Sequence, residues 1–168
     1  MTNSSIRSLL VLTLSLLGAF ALAGCAPVNA AGSWSVNLTN DANGCSLDNW
    51  AAGESTTGVP LTITQSGSAA TGEVGGGTGT VANLVFGTNR FEMGSVSGNH
   101  VDLRLTGRPG SMGSCAYTPI LDLSGTISGD TMSGRVVWSY DTNSSADCGA
   151  MATCESIQLM NGSRPPSP

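Results

Sequence analysis

Lysine is missing from this chain. All six cationic side chains among its 168 residues are arginine, set against eleven acids. A chain so poor in positive charge is ill equipped for nucleic acid, whose affinity for proteins comes first from Lys and Arg displacing counterions. The same shortage excludes electrostatic attachment to an anionic membrane surface. Histidine occurs once, as His100, in a segment that reads as a turn. No serine lies in a G-x-S-x-G elbow, so acyl transfer lacks its usual nucleophile and base. There is no C-x-x-C pair and the histidine is remote in sequence, which removes the common zinc spacings. "NDANG" (Asn40 to Gly44) has the letters of a calcium loop without its ligand ladder or terminal Glu. No spacing places two carboxylates across a cleft for glycoside hydrolysis. No metal or cofactor is expected, and no enzymatic activity.

Long apolar runs are also lacking. The apolar run near the N-terminus, Ser8 to Ala21 ("SLLVLTLSLLGAFA"), has fourteen residues without a charge, short of the about 20 that a bilayer-spanning helix needs. Preceded by Arg7 and followed by small residues and Pro27, it fits the apolar region of a secretory signal.

At the end of that run stands Leu22-Ala23-Gly24-Cys25. This resembles the lipobox of bacterial lipoproteins, in both composition and position. The resemblance implies that residues 1–24 are a signal peptide removed before Cys25, and that the Cys25 thiol carries a diacylglyceryl group. It also implies that the new amine is often acylated. Acyl chains anchor at about 0.8 kcal/mol per buried methylene, and two make a stable mooring. The implied address is the bacterial envelope. Alanine at position 26, in place of aspartate, points to the outer membrane of a two-membrane bacterium; in a one-membrane bacterium the address is the outer face of the plasma membrane. Residues 25–32, the lipidated cysteine and "APVNAAG", read as a tether with roughly 20 Å of reach.

Without its signal the chain carries five arginines against eleven acids, a net charge of −6. It is long enough for one domain, expected over residues 33–160. Four cysteines remain: Cys45, Cys115, Cys148 and Cys154. In an exported chain an even number reads as two disulfides with three connectivities. The short loop "CGAMATC" favours Cys148–Cys154, leaving Cys45–Cys115.

The apolar residues alternate. "SWSVNLT" puts Trp34, Val36 and Leu38 on one face, and "LTIT" does the same for Leu61 and Ile63. "HVDLRLT" gives Val101, Leu103 and Leu105, while "LDLSGTIS" gives Leu121, Leu123 and Ile127. "RVVWSY" gives Val136, Trp138 and Tyr140, and "SIQLM" gives Ile157 and Leu159. One wet and one dry face per strand is the mark of an antiparallel sheet. "QSGSAA", "VSGNH" and "ISGDT" are hairpin turns. The last two belong to a repeat, since "GSVSGNHVD" from Gly94 matches "GTISGDTMS" from Gly125. Strands are expected near 33–39, 60–66, 69–75, 81–87, 91–97, 100–106, 117–128, 131–141 and 154–160, with no amphipathic helix. "GTGTVA" (Gly77 to Ala82) mimics a dinucleotide fingerprint but precedes a strand-like "NLVF". "GGGTG" therefore reads as a flexible loop or barrel mouth. The tail, residues 161–168, is expected to be disordered because of its prolines.

The architecture that follows is an all-β, antiparallel up-and-down meander of about eight strands closing into a small barrel. An immunoglobulin-like β-sandwich is the alternative. Gly32-Ser33-Trp34 resembles the G-x-W that opens the first strand of calycins, the group of lipocalins, avidins and fatty-acid-binding proteins. That resemblance implies that Trp34 plugs one end of the barrel and that a late arginine, Arg135 or Arg164, lies over it.

Two functions compete, ahead of a hydrolase, which the absent catalytic motifs disfavour and which a pair of close, strongly shifted carboxylates in a cleft would revive. One is a membrane-anchored envelope lipoprotein whose barrel binds a small apolar ligand or an envelope protein. The other is a structural or inhibitory module with a filled core, acting through its loops. An apolar cavity of ~300 Å³ or more would favour the first, and a packed interior the second. Both require the anchor. Cys25→Ser is expected to move the protein from the membrane pellet to the soluble fraction, as read by fractionation of cells expressing each form.

Overall fold

A computed structural model of the chain describes residues 27–48 and 50–166. The Leu22–Cys25 motif and the lipid expected on it lie outside the described residues. The first three strands are β1 (Gly32–Asn43), β2 (Ser55–Ser66) and β3 (Ala69–Val74), followed by a helix, α1 (Gly76–Phe86). Then come β4 (Arg90–Phe91), β5 (Met93–Ser97), β6 (His100–Thr106) and β7 (Gly110–Met112). The long hairpin β8 (Cys115–Ser128) and β9 (Thr131–Thr142) leads through a 3-10 helix (Ala146–Ala152) to β10 (Ser156–Ser163).

Eight of these strands close into an antiparallel barrel, in the order β1-β2-β3-β5-β6-β8-β9-β10 and back to β1. The two short strands stand outside the ring, β4 on β3 and β7 on β8. The barrel is the expected meander; the sandwich alternative fails because β10 returns to β1 and β2 pairs with β3, so the ring of eight strands is closed. Alternation drives the closure. In β6, Val101, Leu103 and Leu105 are buried while His100, Asp102, Arg104 and Thr106 face water. Leu61 and Ile63 of β2 and Leu121, Leu123 and Ile127 of β8 join them in one core with Val96, Met132 and Val136.

The repeat is visible in three dimensions. Gly98 and Gly129 both sit at φ +58°, turning β5 into β6 and β8 into β9. A residue with a Cβ is strained in that region, so glycine recurs at the same point of both hairpins. Those two turns and the β2–β3 turn at Gly67 lie at one end, the base of the barrel.

The base is sealed by both ends of the chain. Trp34 is 1% exposed, and the Arg164 guanidinium lies 4.7 Å from the centre of its ring. Arg164, rather than the exposed Arg135, is therefore the late arginine. It donates to the Asn29 and Ala31 carbonyls at 3.0 and 2.7 Å and to Asp130 at 3.2 Å. Trp34 Nε1 donates to the Ala30 carbonyl. Val28 N–H bonds to Gly98, Ala30 N–H bonds to the Gln65 side chain, and Ala30 is 0% exposed.

Two expectations are corrected here. Residues 28–31 are not a free tether; they cross the base and are held by Gly98, Gln65 and Arg164. The segment from residue 161 is not disordered from its start. Asn161 to Ser163 pair with β1 on one side and β9 on the other, and the prolines begin only beyond Arg164.

Arg164→Ala is expected to destabilise the fold by about 1.5–3 kcal/mol, since it removes the charged donor to the Asn29 and Ala31 carbonyls and uncovers the buried Trp34 ring. Arg164→Lys should restore little of this, because an ammonium lacks the planar fork that meets two carbonyls and a ring face together. Urea unfolding of the three proteins, followed by tryptophan fluorescence, measures both effects.

Candidate functional site: a helix-capped mouth

The opposite end of the barrel is its mouth, and α1 covers it. Where a strand near 81–87 is expected, the chain forms the eleven-residue helix Gly76–Phe86. Its inward side is the row Thr78, Ala82 and Phe86, spaced four residues apart. Phe86 is buried against Trp138, ring centres 5.3 Å apart. The outward side is apolar too: Leu84 is 86% exposed, and Val81 and Val85, on the flanks between the two sides, are 58% exposed while still lining the space beneath. With apolar residues on both sides no helical stripe is legible, and the β-branched valines read as strand.

The helix is weak by composition. It contains three glycines and two threonines and carries no charged residue, so its intrinsic propensity is low and its length too short for independent stability. No side chain caps its N-terminus. It is held by its ends: Gly75 N–H bonds to the Pro60 carbonyl, and Arg108 N–H bonds to that of Phe86. Gly76, its first residue (φ +61°), and Gly87, just past its end (φ +75°), are in left-handed conformations that let the chain turn sharply into and out of the helix.

Beneath α1 lies a cavity of about 90 Å³ with a wholly apolar surface. Val81, Ala82, Val85 and Phe86 form its roof, and Leu61, Leu105 and Trp138 are among the residues below. The volume is well under ~300 Å³, the lower range for ligand pockets; most of the interior is filled by side chains.

One wall of the mouth is polar and buried, against expectation. In β10 the inward residues are Ser156, Gln158 and Met160, and Leu159 faces water at 48% exposure. The expected inward pair, Ile157 and Leu159, is on the other face. Hydrogen bonds account for the reversal. Trp138 Nε1 donates to Gln158 Oε1 at 3.0 Å, and Gln158 Nε2 donates to Asn40 Oδ1 at 2.8 Å. Ser156 Oγ donates to Asn43 Oδ1 and accepts from the Cys45 N–H. Buried polar groups paired in this way avoid the desolvation cost of an orphan. Sequence alternation reports two faces without saying which one has such partners.

Both disulfides stand at this end, and both differ from the expected pairing. They join Cys45 to Cys154 and Cys115 to Cys148. The Cys148–Cys154 pairing fails because the two cysteines bracket most of the 3-10 helix and point to different neighbours, β8 and the β1–β2 loop. Together they pin the β9–β10 connection across the mouth. The 3-10 helix is further held by Asp147, whose carboxylate accepts from both the backbone N–H and the hydroxyl of Ser114 at 2.7 Å. Ser145 caps it by accepting from the Asp147 N–H.

Of the other singled-out residues, His100 is exposed beside the Thr126 hydroxyl at 3.2 Å, near the base. Among the described residues, no three of His, Cys, Asp and Glu gather as a metal site. Trp50 meets Trp138 edge-on at the rim, its centroid 6.2 Å away. Sequence reasoning missed α1, Gln158, Ser156 and Asn40; the four-residue spacing of Thr78, Ala82 and Phe86 was the one available signal for the helix.

The two bonds from Ser114 hold the Asp147 carboxyl below the ordinary carboxylate range, backbone donation contributing most. A depressed pKa contributes stability above the unfolded value, near 3.9, and the contribution is lost as pH falls through the lower folded value. Amides of the 3-10 helix are therefore expected to lose protection, measured against their intrinsic exchange rates at each pH, starting below about pH 4. Asp147→Asn should abolish that dependence, as hydrogen exchange across a pH series would register.

No family model, curated protein or solved structure matches this chain.

Proposed function

We propose that this protein is a lipid-moored, non-enzymatic binding module of the bacterial envelope, and that its barrel takes a small apolar molecule beneath α1. The wholly apolar cavity under a glycine-flanked helix is the observation that carries this reading. A dry, apolar space takes apolar guests and gives water no partners. Its small volume limits a guest under the closed helix to a few heavy atoms; anything larger requires α1 to move outward about Gly76 and Gly87. The lipobox at Leu22–Cys25 supports the mooring, with the outer membrane as the address that Ala26 favours. Arg164 stacked on Trp34 agrees with the calycin resemblance.

A second reading rests on the other side of the same helix. Val81, Leu84 and Val85 form an uncharged, exposed apolar surface, suited to an envelope protein that docks on a filled barrel. Two substitutions separate the readings. Ala82→Leu adds three carbons to the roof of the cavity and leaves the outer surface alone, whereas Leu84→Asp alters only the outer surface.

Under the ligand reading, organic extraction of protein purified from its own envelope releases an apolar species, identified by mass, that is absent from the Ala82→Leu protein. Xenon or benzene added to extracted protein shifts the methyl resonances of Leu61 and Leu105, and Ala82→Leu suppresses the shift. Extracts empty of apolar species, with no methyl response to either probe, would overturn it. A partner captured by the parent and by Ala82→Leu, but lost with Leu84→Asp, would establish the second reading instead.

A further inference from the structure

The two poles of the barrel differ in chemistry, and the chain leaves from only one of them. The base holds the Ser66-Gly67, Ser97-Gly98 and Ser128-Gly129 turns, the Asp130–Arg164 ion pair and the strap of residues 28–31. The mouth holds α1, which contributes three of the six large apolar side chains exposed among the described residues. None of the remaining three, Met93, Met112 and Leu159, belongs to a base turn.

From these positions we infer that the protein is moored by its sealed base, so that the α1 mouth opens away from the membrane and receives its apolar ligand from the aqueous compartment, not from the bilayer beneath. The inference rests on the lipid mooring proposed above. Its basis is length. Val28 is already bonded to Gly98 at the base, which leaves only Ala26 and Pro27 between the barrel and Cys25. Three residue steps reach about 10 Å. A wall strand of twelve residues such as β9, rising ~3.3 Å per residue and tilted by ~40°, separates base from mouth by roughly 30 Å.

The rival arrangement has Val81, Leu84 and Val85 dipping into the bilayer as a second anchor. Exposed apolar side chains on an uncharged helix favour that contact in isolation. The strap forbids it while the base stays folded, because the leash is about a third of the distance required. Upright, the mouth faces the compartment; reclining, it faces along the membrane surface.

The test uses the full-length lipidated protein in phosphatidylethanolamine–phosphatidylglycerol vesicles carrying a nitroxide on the lipid headgroup. The four cysteines of the domain are paired in disulfides and the Cys25 sulfur is occupied by lipid. A thiol engineered as Ser66→Cys at the base or Leu84→Cys at the mouth is then the single site for a fluorophore. The base label is expected to be quenched severalfold more than the mouth label. Equal quenching, or stronger quenching at the mouth, would overturn the orientation while leaving the mooring intact. Failure of the parent to float with the vesicles would overturn the mooring and the orientation with it.

Discussion

The pairing of β1 with β10 is the contact on which the rest of the molecule depends. Every other pairing in the ring joins strands that are close neighbours in sequence, whereas this one brings Ser35 against Ser163 and Asn43 against Ser156. It closes the barrel, and closure is what a chain without lysine needs, since it has few of the charges that commonly keep sheet edges apart. Each end of the ladder is then secured by different means. Just beyond the rung at Asn43 and Ser156 stands the Cys45–Cys154 disulfide, spanning 109 residues. Just beyond the rung at Ser35 and Ser163 stands Arg164, bonded to Asn29 and Ala31 and stacked on Trp34. Closing so long a loop is costly in chain entropy, and a covalent link near the same residues removes part of that cost from the unfolded state.

This arrangement gives the two poles unequal rigidity. At the base, side-chain and backbone bonds from both termini converge on one tryptophan, and three short turns hold the strands in register. At the mouth, the disulfides and the Gln158 network fix the β1–β2 and β9–β10 connections, whereas α1 is held by its terminal backbone bonds, Phe86 and the half-buried Ala82. Binding elements are drawn from segments of low local stability. A helix of glycine, threonine and valine, resting by one aromatic side chain on an apolar cavity, is such a segment.

Much of the wall was legible in the sequence, and the reasons for the misreadings are physical. β6 and β8 are unambiguous because their polar alternates include charged residues such as Asp102, Arg104 and Asp122, which decide which face is wet. β10 has no charged residue: Ile157 and Leu159 oppose Ser156, Gln158 and Met160, and the choice falls to partners contributed by Asn40, Asn43 and Trp138. The disulfides were misassigned because proximity along the chain is a poor guide once a meander closes and residues 45 and 154 become neighbours. Arg135 and Arg164 look alike as isolated letters. Only position separates them, since Arg135 lies inside a strand with its side chain outward, whereas Arg164 follows the last rung and can fold under the barrel. The α1 error is a case of tertiary override: residues 81–86 have strand propensity, but Phe86 finds its buried site over Trp138 only if the segment coils.

Admission of the proposed ligand would have to displace Phe86. Phe86 fills the space beside Trp138 that an apolar molecule larger than the cavity would occupy, so with the helix in place that ring excludes such a guest. Opening α1 exposes that ring, and a fully buried side chain of this size is worth about 1.5–3 kcal/mol. A ligand that binds only the open form loses the corresponding factor, roughly 10- to 150-fold, from its affinity. The weak helix offsets some of this, because little intrinsic helical stability is lost when it moves. A strong helix former in its place would keep the cavity shut, and a charged helix would hold water at the entrance. The uncharged, glycine-rich sequence of α1 avoids both, at the expense of leaving Val81, Leu84 and Val85 in solvent.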